Sequence, residues 1–69
     1  MSYRTEWFDA ARTGVEILPQ DTEVPGCDEP VTGEVAVHFA GDTGAIIEGP
    51  RERVRALLAA ALAALDTTT

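Results

Sequence analysis

Cys27 and His38 are the residues of this chain best suited to chemistry, and each is the sole member of its type. A thiolate beside an imidazole makes a nucleophile, but the pair needs a third group to orient the ring and an oxyanion site inside a cavity. Asp28 and Glu29 add ligand chemistry next to Cys27, and with His38 they make up the side chains of a conceivable metal cluster. No recognised ligand spacing joins them. Cys27 lies in Pro25-Gly26-Cys27-Asp28-Glu29-Pro30, a turn-rich segment, while His38 lies in an alternating one. The expected readings are a surface-loop thiol and a sheet-face histidine. No catalytic residue, cofactor or metal is expected. One cysteine also excludes an intramolecular disulfide framework.

Charge narrows the choice of partners. Twelve acidic residues against 5 basic ones give a formal net charge of −7. Such a field repels a phosphate backbone, and no glycine-rich phosphate cradle is present, so nucleic acid is not an expected partner. The carboxylates Asp21, Glu23, Asp28 and Glu29 crowd one polar stretch that contains no basic residue. They suit an acidic, partner-facing loop of the kind that occupies a basic protein surface, as an inhibitor, an antitoxin-like protein or a nucleic-acid mimic does. All basic residues are arginines, and Arg51, Arg53 and Arg55 fall where a helix should begin, at the end its dipole makes unfavourable for cations. They read as a solvated charge run, as internal neutralisation of the acidic part, or as a determinant of subunit docking. The absence of lysine and the wealth of alanine suggest a GC-rich bacterial gene. No apolar run approaches the roughly 18 residues of a membrane span, and no signal-peptide pattern opens the chain. A cytoplasmic protein without membrane attachment is expected.

The elements that position these residues follow from periodicity. After Glu48-Gly49-Pro50 come strong helix formers with no internal glycine or proline, and Pro50 suits a first turn. Val54, Leu57, Leu58, Ala61, Leu62 and Leu65 recur at i, i+3, i+4 and predict a helix over 50–66, with 67–69 as a flexible tail. Val35, Val37 and Phe39 alternate with Glu34, Ala36 and His38 as in a half-buried strand. Gly41-Asp42-Thr43-Gly44 is turn chemistry, and Ala45–Glu48 returns as a second strand. A two- or four-residue loop pairs Phe39 with Ile46 and His38 with Ile47, which places Ile46 in the core. A bulged loop moves every return-strand side chain to the other face. Gly14–Leu18 reads as a further strand ended by Pro19, and Asp9–Thr13 as a connection or a short helical turn. Tyr3, Thr5 and Trp7 alternate in a way that admits one more strand. Between Pro19 and Thr32 runs an irregular polar connection, long enough for a functional role.

The resulting expectation is an α+β domain over 1–66, an antiparallel meander of three to four strands with one C-terminal helix on one face. That helix should cover Val15, Ile17, Val35, Val37, Phe39 and Ile46. The opposite face would show Ala36, His38, Ala40, Ala45 and Ile47, to be covered by the Tyr3/Trp7/Phe8 segment or by another chain, or else left plainly exposed. The back of the helix, with Ala56, Ala60 and Ala63, would admit close approach of a second helix. A domain this small buries only about 60% of its unfolded surface, so association is an expected reinforcement. The functional expectation is a small non-enzymatic protein–protein interaction module, a homodimer or a subunit docking on another protein. The alternative is the acidic inhibitor described above.

Overall fold

The computed structural model describes residues 5–68. Element order is a 3-10 turn Ala10–Arg12, strand β1 Gly14–Pro19, strand β2 Val35–Ala40, strand β3 Gly44–Gly49 and helix α1 Arg51–Thr67. The strands form one antiparallel sheet in the order β1-β2-β3, a meander in which each connection joins spatial neighbours. The fold is α+β, as the periodicities predict. Asp9 caps the 3-10 turn, its carboxylate accepting the Ala11 N–H at 3.0 Å. Thr5 and Trp7 lie in no strand, and the expected place of Tyr3 falls outside the described residues.

Register departs from expectation by one residue. Ala40 pairs with Gly44, so the hairpin loop is the odd-numbered Gly41-Asp42-Thr43, closed by the Gly41 N–H donating to the Thr43 carbonyl at 2.9 Å. Phe39 therefore faces Ala45, His38 faces Ile46 and Val37 faces Ile47. The side-chain period of two then sends Ile47 and Ala45 to the helix side and Ile46 to the opposite side. With β1 added, one face carries Val15, Ile17, Val35, Val37, Phe39, Ala45 and Ile47, and the other carries Glu16, Leu18, Ala36, His38, Ile46 and Glu48.

Each face has its own small core. On the helix side, Val35 and Val37 pack with Val54, and Phe39 and Leu58 close the cluster. On the other side Leu18, Ala36 and Val31 are buried together with Val24 against them. The second core is the work of the 20–34 connection, which folds back as an irregular hairpin. The Asp21 N–H donates to the Val31 carbonyl at 2.9 Å, the Val31 N–H to the Thr22 carbonyl at 2.8 Å, and the Val24 N–H to the Glu29 carbonyl at 3.3 Å. Asp21 and Gly26 take positive φ values of 70° and 79° at its two bends. Val31, at 0% exposure, is its plug.

This corrects the expected cover of the second face. Neither the Trp7/Phe8 segment nor another chain seals Ala36 and His38; the chain's own 20–34 loop does, and Trp7 is 91% exposed. Two carboxylates fasten the C-terminal end of that loop, residues 32–34, to β3 and to the helix. Glu48 Oε1 on β3 accepts from Thr32 N, Thr32 Oγ1 and Gly33 N at 2.9, 2.9 and 2.7 Å. These donors, that of Gly33 foremost, hold the Glu48 carboxyl below its ordinary pKa. Glu34 Oε1 accepts the Arg51 N–H at 2.9 Å, supplying from outside the helix the cap that Pro50 lacks. A negative group at the helix start also offsets the arginines placed there.

Helix α1 runs one residue past the expected end. The Thr67 and Thr68 hydroxyls donate to the Ala64 carbonyl at 3.0 and 2.9 Å and close its last turn, with Thr68 as C-cap.

Candidate functional site

The helix is too long for the sheet beneath it. Its 17 residues span about 25 Å, against about 20 Å for six-residue strands. The start is fixed by Pro50 and by the Glu34 cap, so the excess, about three residues, falls at the C-terminal end and accounts for only part of the exposure there. Val54 is its one buried residue and Leu58 is half-buried; from Ala59 to Thr68 every residue is exposed. Leu62 and Leu65 are 59% and 68% exposed, on the side that should have been core. Residues 56–65, Ala-Leu-Leu-Ala-Ala-Ala-Leu-Ala-Ala-Leu, contain no polar side chain at all.

The sheet face under the helix is also left incomplete. The helix lies on β2 and β3, so Val15 and Ile17 of β1 remain 63% and 59% exposed. Between β1 and the helix runs an open groove of about 200 Å³, with Ile17, Val37 and Leu58 in its floor and walls and Arg51 and Arg55 at its rim. Exposed Val15 and Ile17, the groove and the exposed leucines of the helix lie on the same side of the sheet, an uncovered apolar surface of a kind that marks interaction sites.

The expected interface residues divide between locations. Ala36 and His38 are buried under the 20–34 loop, which corrects their assignment to a docking surface. Ala45 and Ile47 lie on the helix side, half-buried, through the shift of register. Ala56, Ala60 and Ala63 are exposed on the helix as expected. Sequence reasoning placed Val15, Ile17, Leu62 and Leu65 in the core and so missed them as surface residues; periodicity carried no signal that the helix would lie over β2 and β3 and leave β1 bare.

Asp21, Glu23, Asp28 and Glu29 are exposed in the loop on the opposite side of the sheet. The molecule is thus polarised: carboxylates crowd the loop face, while the groove on the helix face is rimmed by arginines.

The sole thiol and the sole imidazole do come near each other. Cys27 is exposed, and it shares with His38 a shallow cavity of about 320 Å³ also lined by Val24, Gly44 and Ile46. The ring is held by Glu16, with Nδ1 and Oε1 3.0 Å apart, and its other edge lies over Gly44, where an added Cβ would stand 3.2 Å from Nε2. The thiol and the ring are not hydrogen-bonded to each other. The Glu16–His38 contact joins β1 to β2 across one face, which is sufficient reason for a buried histidine here. Among the described residues, no three His, Cys, Asp or Glu side chains gather where they could hold a metal ion. No helix among them is long and apolar enough to cross a membrane.

No family model, curated protein or solved structure matches this chain.

Proposed function

We propose that this chain is a non-enzymatic protein–protein interaction module that works as a homodimer, docking through the helix face. The observation that carries the reading is the apolar stretch 56–65, with Leu57, Leu62 and Leu65 each more than half exposed. Burying a leucine contributes about 1.5–3 kcal/mol, so Leu62 and Leu65 together with the two β1 side chains supply a substantial drive for association. Exposed to water, the same residues would make a domain of this size marginal. A bacterial, cytoplasmic setting agrees with the arginine-only composition and the free, exposed Cys27 thiol. Size-exclusion chromatography with light scattering tests the reading. A mass of twice the 7.3 kDa chain is expected, and a 7.3 kDa species at every concentration overturns it.

A second reading rests on the other face. Four exposed carboxylates on a loop held by internal hydrogen bonds form a surface suited to a basic protein, such as one that handles nucleic acid. Both readings are compatible, because a dimer built through the helix faces leaves both acidic loops outward. Capture of a basic protein that weakens as salt rises supports the inhibitor reading, and capture indifferent to salt removes it.

A further inference from the structure

Resting on the homodimer reading, we infer that the occupant of the groove is the α1 helix of a second copy, lying antiparallel to the first, with its Leu62 and Leu65 over Val15 and Ile17. Three observations carry this.

The first is charge order along the helix. Steps of three and four residues link Arg51, Arg55, Leu58, Leu62, Leu65 and Asp66 into one strip. Arg51, Arg55 and Leu58 line the groove, so the strip faces the uncovered half of the sheet. It reads basic, apolar, acidic from start to end. Antiparallel alignment sets leucines on leucines, Arg55 beside the partner's Asp66, and the helix start beside the partner helix's terminal carbonyls. Parallel alignment sets arginine on arginine.

The second is surface area. A globular chain of 7.3 kDa exposes about 4,200 Å². This chain exposes 5786 Å². Even fully extended, the five residues outside the described span supply at most about 900 Å². Roughly 700 Å² of excess remains for the others, shared between the 5–9 segment with Trp7 and the helix face, and it is of the order of the ~800 Å² that each partner buries in a standard interface.

The third is where the carboxylates are. Each copy carries a net charge of −7, yet Asp21, Glu23, Asp28 and Glu29 belong to the loop that covers the opposite face. Joining the two helix faces keeps these groups at the far ends of the assembly, where solvent and salt screen their repulsion.

The test is cross-linking between single cysteines in a Cys27→Ser background. Arg55→Cys and Asp66→Cys chains are prepared separately and mixed, with a short bis-maleimide as probe. Both positions are exposed, so folding is retained. The mixture should cross-link about tenfold or more faster than either variant alone. In addition, Arg55→Asp should weaken the dimer about two- to fivefold, and Arg55→Asp/Asp66→Arg should restore it. Faster self-linking of Arg55→Cys or Asp66→Cys, or a stable dimer in which the mixed pair fails to link, overturns the antiparallel arrangement but leaves the homodimer standing. A monomer by light scattering removes both.

Discussion

The Gly33 N–H donates to the Glu48 carboxylate at 2.7 Å, and around this contact the 20–34 loop is fastened to β3. Glu48 Oε1 also takes the Thr32 amide and hydroxyl, so one carboxylate oxygen collects three donors. Because these bonds favour the ionised form, the folded pKa lies below the ordinary value of 4.5. Stability from Glu48 is then complete above the unfolded pKa and is lost as pH falls through the folded one. Glu48→Gln should lower Tm by a few degrees at pH 7, and its gap from wild type should narrow progressively below pH 4.5. Thermal melts of the two proteins across that range check this; a gap independent of pH contradicts it.

Gly33 is required by contact rather than by backbone angle. A Cβ there would stand 2.8 Å from the Gly49 nitrogen and 3.0 Å from its Cα, and neither backbone atom can swing away. Gly33→Ala should cost about 1–3 kcal/mol through forced displacement of the loop from β3. Denaturant unfolding measures it. Gly14→Ala, with nothing within 4 Å of the added atom, is the control.

Helix α1 depends on a cap from another element. Removing the Glu34 carboxylate leaves the Arg51 N–H without its protein acceptor. Glu34→Ala should cost about 1 kcal/mol, in the range of an N-cap loss, and Glu34→Gln should recover most of it by retaining an acceptor oxygen. The neighbouring Arg51–Glu34 ion pair, at 3.9 Å and well exposed on both sides, adds little. Equal losses in Glu34→Ala and Glu34→Gln would instead assign the effect to charge.

Much of this architecture is legible in the sequence. Val35, Val37 and Phe39 alternate with small or polar residues, and the run after Pro50 has helical period, so strand β2 and helix α1 follow directly. The register of β3 does not. Ala45-Ile46-Ile47 is apolar throughout, so alternation leaves open which isoleucine faces the helix, and the three-residue loop decides it. The cover on the second face was masked by the polarity of the 20–34 segment. Val24 and Val31, two apolar residues among carboxylates and turn formers, carry that function. The uncovered groove was hidden for the opposite reason: apolar periodicity says which helix face is apolar, but not that the sheet leaves Leu62 and Leu65 uncovered.

Val31 tests whether the loop is structural. It is fully buried against Leu18 and Ala36, and its truncation leaves a void that neighbours on three segments must fill. Val31→Ala should lose about 1–3 kcal/mol. It should also speed amide exchange at the loop hydrogen bonds of Asp21 and Val24. Unchanged exchange there would mean that the loop holds its shape without its plug.

The surface formed by Leu62, Leu65 and the exposed side chains of β1 is the point on which the functional account stands. Sedimentation equilibrium of the wild-type chain and of Leu62→Glu/Leu65→Glu, from micromolar to millimolar concentration, tests it most directly. The wild-type mass should be twice 7.3 kDa, and the variant should sediment as a folded monomer. A wild-type chain that stays at 7.3 kDa throughout, or a double variant that dimerises as tightly as wild type, would contradict it.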